Sequence, residues 1–189
     1  MDVAEIFAAL DAHIVKGLMM HAQMADYYDF LNLHGYKRLH EYRFFCESAE
    51  MRGLHRYYVN HYGKLIPESD VENPHVIPSG WYAYRRSDVS PEEKKRFIRD
   101  AFAKWESWEA ETKALYQKSY SELCDIGEIA AACKVREMVS DVDQELKCVS
   151  RMRLNLAMID YDLPTVHLCQ DELHEKYAEK EKHIGVNIC

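Results

Sequence analysis

Several side chains able to do acid–base or metal chemistry lie among apolar residues whose spacing predicts helices. His21 lies within an apolar stripe, Glu109 lies close to the centre of another, and Glu145 lies at the edge of a third. Burying an ionisable group costs several kcal/mol unless a partner neutralises it. Two interpretations therefore stay open. Either these side chains bind a metal between helices, or they pair with arginines such as Arg52 and Arg153.

A second group lies near the C-terminus, where His167, Asp171 and His174 occupy positions i, i+4 and i+7. This spacing places two imidazoles and one carboxylate on one face of a helix. That donor set is the ligand chemistry of non-haem iron, so the three residues are candidate metal ligands. The alternative is a solvated helix in which the spacing arises by chance.

The elements that must position these residues are helices. Apolar residues recur at three- and four-residue steps over four long stretches, followed by a shorter polar one. The predicted helices are residues 3–33, 36–63, 91–124, 127–160 and 165–183. Ser90, Pro91 and two following glutamates form a strong helix start for the third of them.

The connections predict how the helices are arranged. Short turns at 34–35 and 125–127 favour antiparallel neighbours, whereas the proline-containing segment 64–90 favours a crossover along the bundle. We therefore expect an all-α fold: an antiparallel four-helix bundle with one long crossover plus a short C-terminal helix. Residues 1–160 would form the bundle, and 161–189 a tail helix packed on it or at a subunit contact.

Composition narrows the class of protein. With 189 residues, 48% of them hydrophobic, the chain is long enough for one substantial core. A net charge of −8 without a Lys/Arg cluster argues against nucleic-acid or anionic-membrane partners, and no apolar run is long enough to span a bilayer. The start of the chain is acidic where a secretory signal would be basic, and the six cysteines form no Cys-x-x-Cys pair. We expect free thiols and a reduced cytoplasmic setting.

The stretch FFCESAEMRGLHRYYVNHYGKLIP, residues 44–67, is similar to the second helix of ferritins. There a Glu-x-x-His pair is followed by apolar residues and a terminating glycine. Together with the helix layout over residues 3–160, this stretch makes the chain resemble the ferritin-like superfamily. On this match His55 takes the place of the histidine, and Arg52 stands where the glutamate would be.

The resemblance implies a site between the helices. Gly17 or His21 stands where ferritins use a glutamate of the first helix. The distance along the chain between Glu109 and Glu145 is similar to that between the carboxylates of the family's third and fourth helices. It thus implies iron as cofactor, with His21, His55, Glu109 and Glu145 as candidate ligands. Arg52 would supply the positive charge that iron otherwise brings, so the centre would be remodelled.

A weaker resemblance concerns the C-terminal helix. The sequence LPTVHLCQDELHEKYAEKE, residues 163–181, resembles the last ligand helix of haem-oxygenase-like di-iron oxidases. On this match the iron ligands would be His167, Asp171 and His174. The earlier Glu-x6-His pattern of such proteins occurs at Glu68 and His75, within the predicted crossover.

The favoured function is therefore a ferritin-like, homo-oligomeric protein whose remodelled metal centre is inactive or acts in iron or metal binding and oxidation. One alternative is a non-catalytic helical bundle used for assembly or interaction. Another is a haem-oxygenase-like non-haem iron oxidase. The sequence leaves open whether the protein is an enzyme. Two structural expectations are specific: segment 64–90 is mostly irregular, and Glu109 is buried against an Arg or His from another helix.

Overall fold

Five α-helices make up most of the chain in the computed structural model. It describes residues 2–77 and 79–184, with side chains except at 79, 80 and 178–184. In chain order the helices are α1 (Val3–Phe30), α2 (His34–Tyr62), α3 (Pro91–Asp125), α4 (Ile129–Met158) and α5 (Leu163–Ile184). Pro78 of the predicted crossover and residues 185–189 of the predicted tail, including Cys189, lie outside the described residues.

Local sequence explains most of the helix ends. Asp2 caps α1, its side chain accepting a hydrogen bond from the Glu5 backbone N–H at 2.9 Å. The start of α3 matches the prediction, with Ser90 as the capping residue and Pro91 in the first turn. At the end of α2, Gly63 has a φ of 64°, a left-handed conformation that glycine adopts at little cost.

The predicted turn at residues 34–35 is wrong. α1 ends at Phe30, and Asn32 takes a left-handed φ of 59°, so the chain reverses over residues 31–33. Asparagine tolerates this conformation better than most residues, which explains why a segment without glycine can turn here. Gly35 consequently lies inside the first turn of α2, where it contacts α5.

Ring contacts and ion pairs fix the helix directions. Phe7 packs on Tyr58 with ring centroids 5.0 Å apart, and Tyr28 packs on Tyr36 at 5.3 Å, so α1 and α2 are antiparallel. Likewise, α3 and α4 are antiparallel, since ion pairs join residues 106 and 153 and residues 113 and 143. The close helix pairs are α1–α2, α3–α4, α1–α3 and α2–α5. The prediction of an antiparallel four-helix bundle is confirmed.

The crossover is also confirmed as mostly irregular. Apart from two short 3₁₀ turns at Ser79–Ala83 and Arg86–Asp88, residues 64–90 form no regular structure among those described. The Val76 backbone donates a hydrogen bond to Gln23 of α1 at 2.9 Å. Further along, Trp81 packs edge-to-face on Phe97 of α3, with centroids 3.5 Å apart. The segment therefore runs along α1 from one end of the bundle to the other.

The helix α5 packs against α2 through a close backbone approach. The Gly35 N–H donates to the Gln170 side-chain oxygen at 3.1 Å. A Cβ atom placed on Gly35 would lie 1.9 Å from the Gln170 carbonyl oxygen, far inside van der Waals contact. Further along α5, Tyr177 packs on Tyr42 with ring centroids 5.2 Å apart. Glycine is thus needed at position 35 for α5 to lie where it does.

Two hydrophobic clusters occupy opposite halves of the bundle. Tyr28, Phe102 and Val149 belong to one, and Phe7 and Leu54 belong to the other. Between them, at mid-length, α2, α3 and α4 present charged side chains to one another. No helix in the described part of the chain is long and apolar enough to cross a membrane.

Candidate functional site

The centre of the bundle is organised around Arg43 of α2, which is only 8% exposed. Its guanidinium pairs through both terminal nitrogens with the carboxylate of Glu145 on α4. The same group lies 3.8 Å from Glu109 of α3 and 3.6 Å from Glu47, one turn further along α2. One guanidinium therefore connects carboxylates from three helices.

Glu109 is the most deeply buried of these carboxylates, with 1% of its surface exposed. One oxygen accepts a hydrogen bond from the Trp105 indole N–H at 2.7 Å. Burial raises the pKa of Glu109 to about 7; Arg43 opposes this rise and the charge of Glu145 adds to it. The prediction that Glu109 is buried against an Arg or His from another helix is confirmed.

Two further carboxylates, Glu47 and Glu50, lie three residues apart on α2. Burial raises the pKa of Glu47 well above its usual range, and burial together with the charge of Glu145 raises the pKa of Glu50 to about 7. Tyr116 of α3 donates a hydrogen bond from its hydroxyl to Glu50 at 3.3 Å. Burial therefore favours the protonated form of both carboxyl groups more than water does.

Opposite Glu47, α1 contributes a glycine. Gly17 lies directly across from Glu47, and a Cβ on Gly17 would lie 3.5 Å from a Glu47 oxygen and 3.3 Å from the Trp108 ring. The indole and the Glu47 carboxylate thus occupy the space that a side chain at position 17 would need. Of the two alternatives for the first-helix position, the structure places Gly17 at the centre.

A cavity of about 560 Å³ lies beside the centre, between α2 and α4. Glu47 and Glu50 of α2, Tyr116 of α3, and Met138 and Asp141 of α4 are among its lining residues, and we call this cavity the acidic cleft. The Arg43–Glu145 pair is part of its lining as well.

Of the four ligands predicted between the main helices, the structure brings only Glu109 and Glu145 together. His21 instead contacts His40 of α2, with the two Nδ1 atoms 2.9 Å apart. His55 is exposed and lies 2.6 Å from Asp11 at the surface.

The buried His21–His40 pair is neutral. Both side chains have no exposed surface, and burial lowers the pKa of each, that of His40 to about 3. One ring must donate the shared proton and the other accept it, so the two imidazoles are different tautomers. The pair ties α1 to α2 alongside the charged centre.

The prediction that Arg52 supplies the central positive charge is wrong. Arg52 is exposed and donates to the Ser48 carbonyl at 3.4 Å. Arg43 takes the central position instead. Nine residues at about 100° each place positions 43 and 52 on opposite faces of one helix.

The C-terminal trio lies on α5 but does not converge on a common point. His167 contacts the Lys94 amine through Nε2 at 3.2 Å and the Gln170 amide through Nδ1 at 3.0 Å. Asp171 is exposed, and His174 lines a small pocket together with basic side chains of the first turns of α2. A metal-ligand role for the trio stays a prediction.

The centre does not fit the pair of iron ions that the resemblance implies. The Arg43 guanidinium already lies within ion-pair distance of three carboxylates, and a guanidinium cannot act as a ligand. Among the side chains that the structure describes, no group of three or more from His, Cys, Asp or Glu is arranged to hold a metal ion.

Sequence reasoning missed Arg43, Glu47 and Glu50. A signal was present, because Glu47 and Glu50 form a Glu-x-x-Glu pair, one residue type away from Glu-x-x-His, inside the ferritin-like stretch. Their helical spacing with Leu39 and Leu54 also marks an inward face.

Comparison with known proteins establishes the fold class. No family model and no curated protein matches the chain. Among solved structures, a humanized archaeal ferritin matches with a TM-score of 0.76 and 15% identity, over 90% of this chain and 94% of that one. An Archaeoglobus fulgidus ferritin engineered to a closed form matches with a TM-score of 0.75 and 17% identity, over 92% and 96%.

An open-pore ferritin from the hyperthermophilic archaeon Archaeoglobus fulgidus matches with a TM-score of 0.74 and 18% identity, over 90% of this chain and 94% of that one. Structural similarity at such low sequence identity establishes the class of fold. This chain has a ferritin-like four-helix bundle fold, and its centre is built around a buried arginine.

Proposed function

We propose that this protein is a ferritin-like bundle with a remodelled, inactive metal centre, which acts as a non-catalytic assembly protein. The observation that carries the proposal is the position of Arg43 among Glu47, Glu109 and Glu145. In di-iron bundle proteins, inward Glu and His side chains from several helices hold two metal ions. Here a guanidinium supplies positive charge at that level of the bundle.

The electrostatics support this assignment. The neighbouring carboxylates raise the pKa of Arg43 above its ordinary value in spite of burial, so the guanidinium stays charged at any working pH. A fixed positive charge in a site of low polarity repels an incoming divalent cation more strongly than it would in water. Iron binding at this centre is therefore disfavoured by repulsion, and both oxygens of the Glu145 carboxylate are already engaged by Arg43.

The proposed self-assembly is supported by apolar side chains at the protein surface. Phe45 of α2 is 40% exposed, and together with Phe44, Ala22 and Ala25 it lines a surface pocket between α1 and α2. Exposed apolar residues grouped on a surface are typical of protein contacts. The five cysteines among the described residues are free, which supports a reducing cytoplasmic setting for the assembly.

The test is iron loading of protein purified from iron-supplemented cells, followed by elemental analysis. We expect fewer than one iron per chain at the centre. Arg43→Gln, checked for folding by circular dichroism, is expected to raise iron retention, whereas Arg52→Gln serves as a matched surface control on the same helix. His174→Ala tests whether any retained metal belongs to α5.

Two outcomes would contradict the proposal. Two tightly bound irons per wild-type chain, unaffected by His174→Ala, would indicate an active iron centre. A monomer in light scattering of the same preparation would contradict the assembly role.

A further inference from the structure

The acidic cleft is elongated along α2 and α4. Arg43 and Gly53 of α2 both line it, and a separation of ten positions along a helix corresponds to a rise of about 15 Å. On the opposite wall, α4 contributes residues from Lys134 to Cys148. A volume of about 560 Å³ falls in the range of about 300–1,000 Å³ that is typical of small-molecule sites. The cleft therefore has room for an extended molecule, not only for an ion.

Negative charge in the cleft exceeds the positive charge available to it. Of its two basic residues, Arg43 is already paired with glutamates and Lys134 lies 3.1 Å from Glu137. Glu50 and Asp141 face the cleft from α2 and α4, and no basic side chain is paired with either among the described residues. A cationic occupant would neutralise both walls.

Glu47 has hydrogen-bonding capacity that its ion pair with Arg43 does not fill. It lines the cleft, is 8% exposed, and accepts no hydrogen bond from the described residues. Its contact with Arg43 at 3.6 Å is longer than a hydrogen bond. Because buried carboxylates almost always accept hydrogen bonds, Glu47 has acceptor capacity left for water or for a bound molecule that donates.

The floor of the cleft is apolar between these charges. Met138, Val142 and Tyr116 are almost fully buried lining residues, and Ala49 is an exposed one. Such a surface packs against methylene groups, whereas a hydrated metal ion makes no favourable contact with it. Charged walls separated by an apolar floor match a molecule whose ammonium groups are separated by alkyl segments.

We propose that the acidic cleft binds a linear aliphatic diamine or polyamine. Its ammonium groups pair with Glu50, Asp141 and Glu47, and its methylene groups lie along the small lining residues Ala49 and Gly53. This binding activity goes beyond the assembly role and does not depend on it.

The test is isothermal titration calorimetry on the full chain with two probes, putrescine and spermidine. Uncharged 1,4-butanediol controls for alkyl packing, and cobalt(II) chloride for generic cation binding. We expect saturable binding of both amines, tighter for spermidine, and none of butanediol.

Glu50→Gln and Asp141→Asn each remove a charge-assisted hydrogen bond and should weaken binding about tenfold. Glu111→Gln and Asp100→Asn, which change net charge equally outside the cleft, should leave affinity within about twofold.

A steric variant separates binding from folding. A Cβ on Gly53 would meet no atom within 4 Å, so the backbone tolerates a side chain there. Gly53→Leu should keep or raise the melting temperature while weakening amine binding about tenfold by filling the cleft. Gly53→Ala, which adds one methyl group, is its control.

Three results would overturn the proposal. The first is no binding of spermidine to wild type up to about 10 mM, where even millimolar affinity would register. The second is equal weakening in the charge-matched surface variants. The third is displacement of spermidine by an equal concentration of cobalt(II), which would assign the cleft to metal ions. None of these results depends on iron content or oligomeric state.

Discussion

The most informative single perturbation is Arg43→Met, which removes the central charge but keeps a long, flexible side chain. In the folded protein it leaves Glu109, Glu47 and Glu145 facing one another without a cation. Breaking a buried ion pair from one side costs about 3–5 kcal/mol of stability. For a chain of this length, a loss near the middle of that range corresponds to a fall in Tm of about 8–16 °C.

The stability lost in the Arg43→Met variant should depend on pH. In the folded wild type, burial raises the pKa of Glu109 from 4.5 to about 7. Stability from a carboxyl of raised pKa is fully present below its unfolded pKa, and is lost as the pH rises through its folded pKa. Without Arg43 the folded pKa rises further, so the variant continues to lose stability above pH 7. We expect the full penalty at about pH 8 and less than about half of it at pH 5.

Buried histidines give stability the opposite pH dependence. This contribution cancels when the variant is compared with the wild type. Burial lowers the pKa of His13 to about 4 and that of His40 to about 3, so both proteins lose stability as pH falls below 6.5. Because desolvation is the main cause in each case, this loss is nearly the same with and without Arg43. The difference in unfolding free energy between wild type and variant therefore isolates the carboxylate centre.

The assay is urea denaturation at pH 5 and pH 8, monitored by circular dichroism. Arg153→Met is the control, since Arg153 pairs with Glu106 at 2.9 Å on the surface and should cost less than about 1 kcal/mol. A penalty for Arg43→Met that equals the control, or that is the same at both pH values, would refute the description of the centre as a buried ion network.

Three further substitutions test the same scaffold. Glu109→Ala should lower the free energy of unfolding by about 1–3 kcal/mol, because it leaves the buried Trp105 N–H without an acceptor and removes one of the three carboxylates around Arg43; an unchanged Tm would mean that Glu109 is solvated. Gly35→Ala should cost about 1–3 kcal/mol and speed limited proteolysis of α5, since the added methyl overlaps that helix. Gly53→Ala, at an open helical position, should instead add about 1 kcal/mol, and equal effects of the two alanines would contradict the close contact at position 35.

The fold was accessible from sequence wherever a local rule decides the structure. Ser90 and Pro91 mark the start of α3 because helix capping depends only on neighbouring residues. The prolines of segment 64–90 exclude a long helix in the same way. The turn before α2 was misplaced because Gly35 looks like a turn residue. Its role is a tertiary one, the close approach of Gln170.

The site was only partly accessible, for a different physical reason. Glu109 was found because aromatic residues surround it in its own helix. Arg43 was missed because its partners Glu109 and Glu145 lie on other helices, 66 and 102 residues away in the chain. When helix faces are predicted from hydrophobic periodicity, a charged residue is assigned to the solvent-facing side. An inward face carrying Arg43 and Glu47 is therefore misread until the opposing helices are in place.

The covalent attachment of the central cation has a consequence for how the protein is made and kept folded. A bundle held together by a dissociable ion has a stability that rises and falls with the free concentration of that ion. Arg43 is present at a fixed local concentration in every chain from the moment of synthesis. The carboxylates of three helices therefore gain their counter-charge in the folding step itself, and neither scarcity of metal nor a chelator can withdraw it.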